Sequence, residues 1–65
     1  MEEKDKFIYY KGQQYIPVKS TIHKGIKYVF VINYKNPKDI MFLSFDNEIE
    51  EVENLELIKI ILNQM

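Results

Sequence analysis

The stretch Ile26-Lys27-Tyr28-Val29-Phe30-Val31-Ile32-Asn33-Tyr34 constrains this chain more than any other. Ile26, Tyr28, Phe30, Ile32 and Tyr34 form one alternating set; Val29 and Val31 belong to the other. Both sets are apolar. A strand with one side in water alternates apolar with polar residues, so this run predicts a central strand covered on both faces for much of its length.

The neighbouring segments supply partners for it. Phe7-Ile8-Tyr9-Tyr10 has strand composition, and Lys11-Gly12 provides a tight turn in which Gly12 can take a positive φ. From Gln14 to Ile22, Ile16, Val18 and Ile22 fall on one face with Ser20 among them. Tyr15, Pro17, Lys19 and Thr21 fall on the other. Pro17 has no N–H for a ladder, which predicts an edge position or a bulge there. His23-Lys24-Gly25 makes the second turn, and Asn36-Pro37-Lys38-Asp39 closes the central strand. Ile40 to Phe45 reads as a fourth strand, again apolar on both sets. Asp46-Asn47 turns it, and Glu48 to Glu53 is an acidic connection with Ile49 and Val52 as its apolar residues.

At the C-terminus the period changes. Asn54 is placed to cap a helix, with Glu56 in its first turn. Leu57, Ile58, Ile61, Leu62 and Met65 lie within about 140° of one another at 100° per residue, and Ile60 falls on the polar side. Asn47 and Glu50 have capping-box spacing for a helix starting at Glu48, but Ile49, Val52, Leu55 and Ile58 recur every three residues and would drift around it, which favours the later start. The expected architecture is α+β: a four-stranded antiparallel meander with one C-terminal helix packed on one face. It forms a single small domain over residues 1–65, with 1–6 frayed.

One helix covers one face of a small sheet, yet the third and fourth strands are apolar on both. The remaining face is buried either by curling of the sheet or by another chain. The expectation drawn here is self-association as a two-fold homodimer through Val29, Val31, Met41, Leu43 and Phe45, with Ile60 as a second contact on the helix.

Composition narrows the class. A chain of 65 residues gains little stability from its core alone, and without cysteine it has no disulfide to add. The lone histidine, His23, excludes a Cys/His zinc site. The N-terminal residues lack a secretory apolar region, and no apolar run approaches the roughly 20 residues that span a bilayer, so the expected location is cytoplasmic. Nine lysines without arginine, and ten isoleucines without alanine, point to an AT-rich bacterial or mobile-element gene. The net charge of −1 conceals a partition. Phe7 through Lys38 carry six lysines (Lys11, Lys19, Lys24, Lys27, Lys35, Lys38) and no acid; from Asp39 onward seven acids face Lys59 alone. Mutual neutralisation of solvated faces is the plain reading.

No residue pattern points to catalysis. His23 lies in a turn without a cysteine or second histidine near it in sequence. Ser20, Thr21 and Ser44 lie outside any nucleophile-elbow motif. Glu48, Glu50, Glu51 and Glu53 lack calcium-loop spacing, and Gly12 and Gly25 are isolated, so no metal, cofactor or phosphate loop is expected. Two binding chemistries stand as alternatives. The six lysines interleave with tyrosines, a combination suited to weak nucleic-acid binding. The acidic segment from Asp46 to Glu56 suggests instead a mimic that blocks a basic groove.

In Tyr28-Val29-Phe30-Val31, the apolar fourth strand, the acidic Glu50-Glu51-Val52-Glu53 and a helix ending Ile61-Leu62-Asn63, the chain resembles the YrzB-like family of small bacterial proteins. The resemblance covers residues 7–65 in outline and implies a small sheet-plus-helix fold without an assigned activity. The functional expectation is a non-catalytic interaction or accessory module that acts through a sheet face or an exposed strand edge.

Overall fold

The structure, a computed structural model, describes residues 7–65; the expected fraying of residues 1–6 lies outside them. The elements in chain order are β1 (Ile8–Tyr10), β2 (Gln13–His23), β3 (Ile26–Asn33), β4 (Ile40–Phe45), β5 (Ile49–Glu51) and α1 (Leu55–Gln64). All five strands form one antiparallel sheet in the order β1-β2-β3-β4-β5. The architecture is α+β with one C-terminal helix, as the periodicities predict, but the meander has five strands rather than four.

Two Lys-Gly pairs make the first two turns. Lys11 and Gly12 have φ of 51° and 76°, and Lys24 and Gly25 have 53° and 81°. Positive φ at both central positions defines the two-residue hairpin turn whose twist matches the flanking strands. The Tyr10–Gln13 and His23–Ile26 pairs close the two hairpins.

The fifth strand comes from the acidic connection. Ile49 and Val52 are three residues apart, which looks irregular for a strand facing one core. In the structure Ile49 packs into one apolar cluster and Val52 into another, on opposite sides of the sheet. An odd spacing serves a strand that feeds two cores, because side chains alternate across it.

Those two cores account for the double apolar pattern of β3 and β4. On one side Tyr28, Phe42 and Ile61 are buried, with Ile26, Phe30, Val52, Leu57, Ile58 and Met65 around them. Phe30 and Phe42 stack there with ring centroids 5.0 Å apart. This is the face that α1 covers. Asn54 caps the helix, its Oδ1 accepting from the N–H groups of Glu56 (3.0 Å) and Leu57 (3.2 Å). Leu62, at the margin of the expected apolar arc, is 51% exposed instead of packed.

On the other side Tyr15, Val29, Val31 and Leu43 are buried, with Ile8, Tyr10, Met41, Phe45 and Ile49 against them. All five strands contribute to this cluster, so the sheet curls around it as a half-barrel. The first and last strands meet through a side chain: the Glu51 N–H donates to the Tyr10 hydroxyl at 3.1 Å. Curling therefore covers the face that motivated a homodimer in the sequence. Val31 and Leu43 are 0% exposed and Val29 is 4% exposed within the chain, so they form its core rather than an outer surface.

Candidate functional site

The half-barrel wall is incomplete along β2. This strand is eleven residues long, but β1 is three residues long and pairs only with Gln13, Gln14 and Tyr15. Beyond Ile16 the outer edge of β2 has no strand beside it among the described residues. Ladder alternation decides which groups lie bare there. His23 closes the second hairpin with Ile26, so its backbone polar groups face β3, as do those of Thr21. The N–H and C=O groups of Ser20 and Ile22 consequently face outward.

Pro17 and the residue after it shape the start of this edge. The β2–β3 register shifts between Pro17 and Lys19, leaving Val18 as an extra residue in a bulge. The bulge lies where Pro17 required an edge or an irregularity. It also exchanges the faces of everything beyond it. Ile16 pairs with Ile32 on the helix side, whereas Ile22 pairs with Lys27 on the half-barrel side. The sequence pattern had placed Ile16, Val18, Ser20 and Ile22 together; the bulge separates Ile16 from Ser20 and Ile22.

Where the wall is missing, a groove of about 400 Å³ opens beside the core, lined by Ile8, Pro17, Val18, Lys19, Ser20, Lys27, Val29 and Phe45. Ile8, Val29 and Phe45 are members of the half-barrel cluster, so the groove has an apolar floor. Lys19 and Lys27 belong to its lining and are exposed. Ligand pockets commonly measure about 300–1,000 Å³, which makes this groove large enough for side chains of a partner.

The six lysines do not form one surface. Lys11 lies in the first turn with its ammonium 5.5 Å from the Tyr10 ring centroid. Lys35 lines a small hollow of about 230 Å³ with Gly12, Gln13 and Asn33, and Lys38 lies in the same β3–β4 loop. Lys19, Lys24 and Lys27 lie toward the other end of β2, at the free edge and its turn. Among the residues expected at an interface, Met41 and Phe45 are half-buried and only Ile60, at 45%, is exposed.

Asn33 is a residue the sequence did not mark. It is buried and holds the β3–β4 loop: Oδ1 accepts from the N–H groups of Lys35 (2.9 Å) and Asn36 (3.0 Å), while Nδ2 donates to Gln13 Oε1 at 3.2 Å. Its role is architectural. Thr21, His23 and Ser44 are also engaged structurally. Gln64, the last residue of α1, places Oε1 3.2 Å from Thr21 Oγ1 and Nε2 2.8 Å from His23 Nδ1. These contacts tie the helix to the end of β2. Ser44 Oγ donates to the Glu50 carbonyl at 3.3 Å. Ser20 lies on the opposite face from Thr21 and His23, in the groove.

Among the described residues no group of three His, Cys, Asp or Glu is placed to hold a metal ion. No helix there is long and apolar enough to cross a membrane. No protein-family profile matches the chain, and searches of curated proteins and of solved structures give no match either.

Proposed function

We propose that this protein is a small non-catalytic interaction module of the cytoplasm that binds another polypeptide by strand addition at the outer edge of β2. The observation that carries this reading is the mismatch between β1 and β2, three residues against eleven, which among the described residues leaves ladder groups without a partner beside an apolar groove. An extended segment placed there gains main-chain hydrogen bonds, and its alternate side chains find the groove. Selection of random peptides on the immobilised protein, followed by amide mapping of the winners, tests the reading. Winners are expected to shift the amides of Val18 to His23; winners that map to the helix would contradict it.

Self-association as a homodimer is a second reading, and its support has moved. It rests on the exposed apolar side chains Leu55, Ile60 and Leu62 of α1 and Ile40 of β4 rather than on Val29, Val31 and Leu43. Nucleic-acid binding draws support from the lysines, but their division between two ends of β2 weakens it. That alternative predicts binding to labelled single strands that falls steeply with salt.

A further inference from the structure

The occupant of the β2 edge can be specified by chemistry. We propose that the edge takes an acidic, extended peptide segment of another protein, with aliphatic side chains alternating with carboxylates. This rests on the reading of the β2 edge as the contact surface and adds the class of ligand.

Charge supplies the first argument. Lys19 on β2, Lys24 in the turn after it and Lys27 in the groove lining lie beside the edge left unpaired among the described residues, and no acid occurs anywhere from Phe7 through Lys38. A strand laid along β2 therefore meets cations with no competing carboxylate from β2 or β3. A partner rich in Asp or Glu is attracted, while a basic one is repelled. These are exposed charges, so the preference weakens as salt rises.

Geometry supplies the second. Successive residues of an added strand point alternately to the two faces of the sheet. On the half-barrel face they lie over the groove with Ile8, Val29 and Phe45 at its floor, where aliphatic side chains cover apolar surface that the curl leaves open. On the helix face they run beside Lys19, Thr21 and His23, which pair with Phe30, Tyr28 and Ile26. Lys19 makes acidic side chains suit that side, whereas Lys27, paired with Ile22 and Phe45, belongs to the groove side. The result is a two-residue alternation of aliphatic and acidic positions.

A second copy of this chain is a poorer occupant. Pairing β2 with another β2 gathers Lys19 and Lys24 of both copies along one edge, and like charges close together across a ladder are destabilising. Lysine, proline and a bulge on an exposed edge are also the features by which natural sheets discourage indiscriminate edge-to-edge association. An acidic peptide turns the lysines from an obstacle into a contact. Pro17 and Val18 limit the usable edge to the segment that follows them.

The test uses the ¹⁵N-labelled full chain and three synthetic decapeptides. One alternates valine with glutamate, one alternates valine with lysine, and the third is the glutamate peptide methylated on every backbone nitrogen. The glutamate peptide is expected to shift the amides of Val18 to His23 and to slow exchange of the Ser20 and Ile22 N–H groups. The other two are expected to leave those amides unchanged. The Lys19→Glu/Lys27→Glu double variant changes only exposed side chains and should bind the glutamate peptide about tenfold more weakly.

Equal binding of the lysine peptide would overturn the acidic preference while leaving strand addition intact. Equal binding of the methylated peptide, or shifts confined to α1, would overturn strand addition and the proposal together. Failure of the glutamate peptide to bind would overturn the proposal. Protection of Ser20 and Ile22 in the peptide-free protein would also overturn it, by placing a second copy on the edge if the protection grows with concentration, or a segment of the same chain if it does not.

Discussion

Single residues set the two hairpins. Lys24 and Gly25 both hold positive φ, and an added Cβ at Gly25 meets nothing within 4 Å. The cost of Gly25→Ala is therefore backbone strain without a steric clash, about 1 kcal/mol, measurable as a lower urea midpoint. Lys24→Asn works in the opposite direction, because asparagine tolerates the left-handed region better than lysine. It should raise stability by about 0.5 kcal/mol in the same assay. These turns were legible because Lys-Gly falls between two strand-like runs. Asn33 was not legible: it ends a long apolar stretch, and nothing local marks it as buried or as the acceptor for Lys35 and Asn36.

At the scale of elements, period is the signal that survived and alternation the one that misled. The switch to a helical period after Asn54 placed α1 within a residue of its observed bounds. Its cap is local, so Asn54→Ala should cost about 1 kcal/mol by removing the acceptor for two N–H groups, with the sheet spectrum unchanged. The faces of β2 were misread beyond Pro17. Proline announced an irregularity, but only the register shows that Val18 is the extra residue and that Ser20 and Ile22 turn into the half-barrel. The strand β5 was missed because Ile49 and Val52 feed different cores, so neither face repeats. The residues of that bulge, Pro17, Val18 and Lys19, also line the groove.

For the whole molecule, the decisive fact is the curl. A surplus apolar face has two remedies, a partner or curvature, and strand composition does not distinguish them. Curvature requires β1 and β5 to approach each other, which the Tyr10–Glu51 hydrogen bond shows they do. Val31→Lys separates the remedies experimentally. A lysine at a fully buried position loses its hydration without gaining a partner, so the variant should fail to fold, with loss of near-ultraviolet circular dichroism. A folded, monomeric variant would instead place Val31 at a surface. Among the described residues the curl also limits what remains for contact: the flank of the half-barrel along β2, and scattered apolar side chains on the helix side.

The central claim is that the outer edge of β2 is bare and available in the free protein, and amide hydrogen exchange by NMR tests it most directly. The ladder predicts alternation: Ser20 and Ile22 N–H groups exchange quickly, while Thr21 and His23, bonded to β3, exchange slowly. Adding a bound extended peptide should slow Ser20 and Ile22 to the rate of their neighbours. Uniformly slow exchange across Lys19 to His23 in the free protein would contradict the account, because the edge would already be paired.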